Sequence, residues 1–149
     1  MYRLMQTLMN KFEDFLIRKD QRFTGQRQLI ARTFFKHKGH ISAEELYDRI
    51  KKQTPSIGFA TVYRTLKLLC EAGLASHSNF RDGVSRFEAT ASKEHHDHLI
   101  CTTCGKIVEF TNYHIETMQD QVAAEHGFLV RDHTLDIYGT CGGCRGKTA

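Results

Sequence analysis

The chain has no tryptophan and only one proline, Pro55, in 149 residues. No apolar run approaches the roughly 18 residues that a membrane-spanning helix needs. The first ten residues, Met1–Asn10, lack the apolar core and small-residue cleavage site of a signal peptide. Both absences point to the cytoplasm, where cysteines stay reduced and the five present argue for metal or redox chemistry over structural disulfides. No HExxH motif and no H-x-E…PCxxC pattern occurs, which argues against a zinc hydrolase or deaminase. There is no low-complexity segment, and the only internal repetition is a pair of short Cys turns.

What is present is divided unevenly. Residues 1–90 carry 16 Lys and Arg against 9 Asp and Glu, whereas residues 91–149 carry 5 against 8. Six of the nine histidines and four of the five cysteines lie in the second part. A basic front suits a polyanion or a solvated surface, and the back is rich in metal ligands. Two domains are expected, 1–90 and 91–149, with the boundary near Thr90–Lys93.

In the first part, Leu4, Leu8, Phe12 and Phe15 recur at helical spacing to about Arg18. Thr24 is placed to cap a second helix carrying Leu29, Ile30, Phe34 and Phe35, and Lys36–His40 reads as a loop. Ser42 and Glu45 form a capping box, with Ile41 and Leu46 as its hydrophobic staple, for a third helix to about Lys52. After Thr54-Pro55-Ser56 a fourth helix follows Gly58, with Val62, Leu66 and Leu69 buried and Gly73 as end cap. Ala75–Phe80 and Val84–Glu88 flank Arg81-Asp82-Gly83, a hairpin signal. Helices followed by a hairpin predict a winged helix-turn-helix.

In such a motif the second helix enters the major groove. Tyr63 and Arg64 are the candidates for base edges and Thr61 for phosphate, with Lys19 and Arg27 as further phosphate contacts on grounds of charge. A half-buried helix aromatic is the competing reading for Tyr63.

The second part predicts strands at His98–Cys101, Lys106–Phe110, Phe128–His133 and Leu135–Tyr138, and a helix carrying Ile115, Met118 and Val122. Cys101-x-x-Cys104 and Cys141-x-x-Cys144 are separated by 36 residues. Two such turns supply the four thiolates of a closed tetrahedral zinc site, with a redox dithiol pair or an iron–sulfur cluster as alternatives. Cys70, near the buried stripe of the fourth helix, reads as a buried thiol. In an extended His95-His96-Asp97-His98 segment, His96 and His98 share one face and His95 and Asp97 the other, so one segment can feed two metal sites. Imidazole with carboxylate suits iron, zinc, manganese or cobalt; an open metal site in an enzyme would use the same groups.

The runs Gly58-Phe59-Ala60-Thr61-Val62-Tyr63-Arg64-Thr65-Leu66, Gly83-Val84-Ser85-Arg86-Phe87-Glu88 and Glu94-His95-His96-Asp97-His98-Leu99-Ile100-Cys101 resemble the ferric uptake regulator family of bacterial repressors, over about residues 10–146. The resemblance implies an α+β chain: an N-terminal winged helix that binds DNA, then a small α/β dimerisation domain. It implies structural zinc on Cys101, Cys104, Cys141 and Cys144. It implies a regulatory metal on His40, Glu88, His96, His98 and Glu109, and a further site on His95, Asp97, Glu116 and His133, near which His126 also lies. Glu88 and the His-His-Asp-His run look like the iron-sensing branch. Peroxide sensors usually carry Asp at the Glu88 position, and zinc sensors usually place a cysteine in the regulatory site. The implied cofactors are therefore structural Zn2+ and regulatory Fe2+, with Mn2+, Zn2+ or Co2+ as substitutes. The implied partners are a second copy of the chain and a palindromic, A/T-rich double-stranded operator, with no membrane, no small organic substrate and no enzymatic activity.

Overall fold

The computed structural model describes residues 2–90 and 95–146, and the side chains from residue 3. The chain forms two compact units, Met1–Lys93 and Glu94–Ala149. Of the boundary expected near Thr90–Lys93, residues 91–93 lie outside the described residues, as does Glu94, the first residue of the Glu94–Cys101 motif.

The first unit runs α1 (Tyr2–Arg18), α2 (Gly25–Lys36), β1 (Ile41–Ser42), α3 (Ala43–Lys51), α4 (Phe59–Glu71), β2 (Ala75–Asn79) and β3 (Ser85–Ala89). Local chemistry sets the helix ends. Thr24 Oγ1 accepts from the Arg27 N–H at 3.3 Å. Ser42 Oγ accepts from the Glu45 N–H at 3.1 Å, while Glu45 Oε2 accepts from the Ser42 N–H at 2.8 Å. This reciprocal box satisfies two amides that a helix start leaves orphaned. At the end of α4, Gly73 adopts φ +70°, which glycine alone reaches without strain. The Gly73 and Leu74 amides then donate to the Cys70 and Leu69 carbonyls at 3.0 and 2.9 Å, stopping the helix.

Phe12, Leu16, Ile30, Phe34, Leu46, Ile50, Val62, Leu66, Leu69 and Phe87 are buried together. Each such side chain contributes about 1.5–3 kcal/mol by leaving water. The buried face of α1 is Leu8, Met9, Phe12 and Leu16; Leu4, expected on it, is 53% exposed. The three-stranded sheet has the order β1-β3-β2, all antiparallel. Its hairpin loop spans 80–84, two residues longer than the three expected, because pairing ends at Asn79↔Ser85. Phe80 leaves the strand to become buried. The short β1 was not foreseen, since two residues carry no periodicity.

The second unit contains β4 (Asp97–Cys101), β5 (Ile107–Phe110), α5 (Tyr113–Glu125) and β6 (Asp136–Gly139). Its sheet has the order β5-β4-β6, with β4 antiparallel to β5 and parallel to β6. The strand expected at Phe128–His133 is absent: those residues belong to no ladder. A strand exists only where a partner backbone pairs with it, and the sheet stops at β5 and β6 without recruiting this segment. The segment instead exposes Phe128 (74%) and Leu129 (87%), and α5 has no buried residue along its length. This unit therefore leaves a wide apolar face on the isolated chain. Among the described residues, no helix is long and apolar enough to cross a membrane.

Candidate metal centres and DNA-facing helix

The parallel pairing of β4 with β6 sets Cys101 opposite Gly139, so both strands deliver their Cys turns at the same end. Thr102 N–H donates to the Gly139 carbonyl at 2.9 Å, pinning the two turns. Cys101, Cys104, Cys141 and Cys144 bring their sulfurs within 4.8 Å of one another, and Cys104 Sγ lies 3.8 Å from Cys141 Sγ. A tetrahedral zinc with Zn–S bonds near 2.3 Å has an S···S edge of about 3.8 Å, so the cluster fits the ion. The Cys101 thiol is pulled down to about 5, first by the Cys141 N–H and then by that of Cys104. The Cys144 thiol is pushed up to about 12, first by hydrogen bonding with Cys104 and then with Cys141. A bound zinc would require all four as thiolates. Cys70 is half-buried, and burial raises its thiol.

His95, Asp97, Glu116 and His133 form a second cluster, their ligand atoms within 4.8 Å of one another. His95 Nε2 is 3.5 Å from Asp97 Oδ1 and 3.3 Å from Glu116 Oε1; His133 Nε2 is 3.3 Å from Glu116 Oε2. Asp97 is 0% exposed. Both its carboxylate oxygens, Glu116 Oε1 and His133 Nε2 are buried without a hydrogen-bond partner among the described residues. Unpaired buried polar atoms cost about 1–3 kcal/mol each. A divalent cation would satisfy all four at once, so the donor set fits one. His126 does not join them: it caps α5, its N–H donating to the carbonyls at 122–124.

The remaining ligand candidates divide between the units. In the first unit, Ile41 pairs with Phe87, and the same register sets His40 beside Glu88. His40 Nε2 lies 3.7 Å from Glu88 Oε2, and both side chains are buried. In the second unit, His98 pairs with Glu109, and His96, two residues earlier, falls on the same face. His96 Nε2 is 3.9 Å from Glu109 Oε1, and the His96 and His98 rings are 5.1 Å apart.

On α4, Val62, Thr65, Leu66, Leu68 and Leu69 face the core, leaving Tyr63, Arg64 and Lys67 outward and Thr61 at intermediate exposure. Tyr63 is 40% exposed. It stacks on Phe59 at 6.4 Å and meets the edge of Phe87 at 6.3 Å, so part of its ring is packing and part is presented. The two residues expected from charge to reach phosphate also have partners within the fold. Arg27 donates to Gln21 Oε1 and to the Arg22 carbonyl, each at 2.7 Å, and so closes the α1–α2 turn. Lys19 pairs with Glu71 at 3.2 Å, tying α1 to α4.

Residues 18–138 match the model of the ferric uptake regulator family. The chain belongs to that family. It is 40% identical over 144 residues to the ferric uptake regulation protein of Campylobacter jejuni, covering 95% of this chain and 91% of the relative. Its fold matches the Helicobacter pylori ferric uptake regulator, described as having three functional metal binding sites, with a TM-score of 0.88 at 26% identity, covering 97% of this chain and 96% of that one. A zinc-bound manganese uptake regulator matches with a TM-score of 0.70 at 42% identity, covering 88% and 98%. Members of the ferric uptake regulator family are transcriptional regulators rather than enzymes.

In this family member, one site residue escaped sequence reasoning. Asp136 Oδ1 lies 3.0 Å from His98 Nδ1. A carboxylate only accepts, so Nδ1 carries the proton and Nε2 carries the lone pair that a metal would need. No spacing rule reaches across a separation of 38 positions.

Proposed function

We propose that the chain is a metal-dependent DNA-binding transcriptional repressor controlling iron-uptake and metal-homeostasis genes, with Fe2+ as its corepressor. The observation that carries this reading is the split donor set: His40 with Glu88 on the winged-helix unit, and His96, His98 and Glu109 on the unit that holds the Cys cluster. Nitrogen and oxygen donors without sulfur suit Fe(II) and Mn(II). One ion held by both sets restricts the hinge between them and selects one domain arrangement, to the extent that its affinity differs between arrangements. The exposed faces of α5 and Phe128–Val130 fit burial against a second copy, as in a homodimer. The pair of α4 helices would then read a palindromic, A/T-rich operator through Tyr63 and Arg64, with Thr61 on phosphate. Such a repressor acts in the cytoplasm, where its cysteines stay reduced.

The test is operator binding by fluorescence anisotropy, performed anaerobically on protein with zinc in its cysteines, at buffered levels of Fe(II), Mn(II) or Zn(II). Binding that appears with Fe(II), vanishes on chelation while the cysteine-bound zinc stays, and is lost in His96→Ala supports the reading. Equal binding with and without added metal removes the corepressor role. A manganese-responsive repressor is the second reading, favoured by the 42% identity to a manganese uptake regulator; Mn(II) acting at lower free concentration than Fe(II) would establish it.

A further inference from the structure

Glu116 lies in the first turn of α5, and Gln119 follows it at i+3 on the same helix face. Both side chains carry a buried oxygen, Glu116 Oε1 and Gln119 Oε1, that has no hydrogen-bond partner among the described residues. Gln119 lines a groove of about 820 Å³ between α5 and residues 128–133, together with His133. Buried amide oxygens in native proteins are nearly always paired. Asp97 Oδ1 and Oδ2 and His133 Nε2 are likewise buried without a hydrogen bond among the described residues, and Gln119 shares its helix face with Glu116 of that cluster.

We propose that Gln119 Oε1 is a further oxygen donor to the ion held by His95, Asp97, Glu116 and His133, and that it biases this site toward five- or six-coordinate divalent ions over tetrahedral zinc. The proposal rests on the reading of those four residues as a metal site. Two imidazoles and two carboxylates already complete the four-coordinate shell that zinc prefers and balance a divalent charge. A neutral carbonyl adds a ligand without adding charge. That addition does little for a closed tetrahedron and favours Mn(II), Fe(II) or Co(II), which accept more oxygen donors. Helix α5 presents Glu116 and Gln119 from adjacent turns, so one rigid element supplies both oxygens. His133 approaches from the 128–135 segment, and Asp97 from the start of β4.

The test uses the full chain with zinc in its cysteines and His96→Ala to silence the other regulatory donors. It is titrated anaerobically with Co(II), read by visible absorption, and with Mn(II), read by electron paramagnetic resonance, each in competition with Zn(II). The parent is expected to give the weak Co(II) bands of a five- or six-coordinate ion. Gln119→Leu is expected to give the intense bands of a tetrahedral ion and to weaken Mn(II) about tenfold relative to Zn(II). Gln119→Glu, which keeps an oxygen at the same place, is expected to retain the weak bands, and it guards against a folding defect in the leucine variant. Unchanged bands and an unchanged Mn(II)-to-Zn(II) ratio in Gln119→Leu overturn the proposal. So does an equal loss for every metal with unchanged bands, which would mean that the amide only orients Glu116. Glu116→Ala separates the two levels: if it leaves Co(II) binding intact, the four-residue reading itself fails; if it abolishes binding while Gln119→Leu changes nothing, only the role of Gln119 fails.

Discussion

His98 and Asp136 face each other across a parallel strand pair, with Nδ1 and Oδ1 3.0 Å apart. The carboxylate fixes the ring's tautomer and orientation, which places the lone pair on Nε2, the atom the proposed regulatory metal would use. Asp136→Ala is expected to lower regulatory-metal affinity by about 10- to 100-fold while the cysteine-bound zinc stays in place. Isothermal titration with Mn(II) alongside zinc analysis checks this; unchanged Mn(II) affinity would show that the pair is merely a surface contact.

Cys101 sits at the end of β4, and its sulfur accepts from the Cys141 N–H at 3.3 Å, so it joins both Cys turns. Cys101→Ser is expected to release zinc and unfold the second unit, whose isolated chain buries few apolar residues. The first unit, with its own core, should keep its helical melting transition. A variant with normal zinc content and an unchanged melting profile would contradict the structural role of the site.

Tyr63 and Arg64 are adjacent on the outward face of α4 and should fail differently. Tyr63→Ala is expected to relax sequence preference at one operator position by about 1–3 kcal/mol, and also to lower stability slightly because the ring packs on Phe87. Arg64→Ala should cost a similar amount if it reads a guanine. If it holds phosphate it should weaken all sequences alike and reduce the salt slope by about one. Binding to a panel of single-base operator variants at several salt concentrations separates these outcomes. Lys19→Ala and Arg27→Ala should each reduce the salt slope by about one where the side chain reaches phosphate, and leave it unchanged where it does not.

His77 packs against Phe87 with ring centroids 4.9 Å apart. Burial, followed by the charge of Lys67, lowers its pKa from the ordinary value of 6.5. The folded chain thus binds a proton there less readily than the unfolded chain. The associated stability is present above pH 6.5 and declines as pH falls through the lowered value. His77→Gln should flatten that part of the pH–stability curve, as measured by thermal melting between about pH 5 and 8; a curve of unchanged slope would remove His77 as its source.

Much of the fold was readable along the chain because its signals are local. The Ser42–Glu45 box, the Thr24 cap, the Gly73 stop and the Cys turns each depend on residues a few positions apart. The alternation in His95–His98 likewise separated two donor faces before any coordinates, and the structure places His95 with Asp97 and His96 with His98. What tertiary structure alone decided concerns partners distant in sequence. An apolar run at Phe128–His133 looks like a strand, yet whether it is one depends on a backbone that pairs with it, and none does here. Lys19 has no visible partner in the sequence until folding brings Glu71 to it. Asp136 looks like any surface acid until a parallel register sets it against His98, and the unpaired oxygen of Gln119 is visible only once α5 turns it inward. In each case the deciding quantity is which polar group meets which, and that is set by packing across the chain rather than by the order of residues within it.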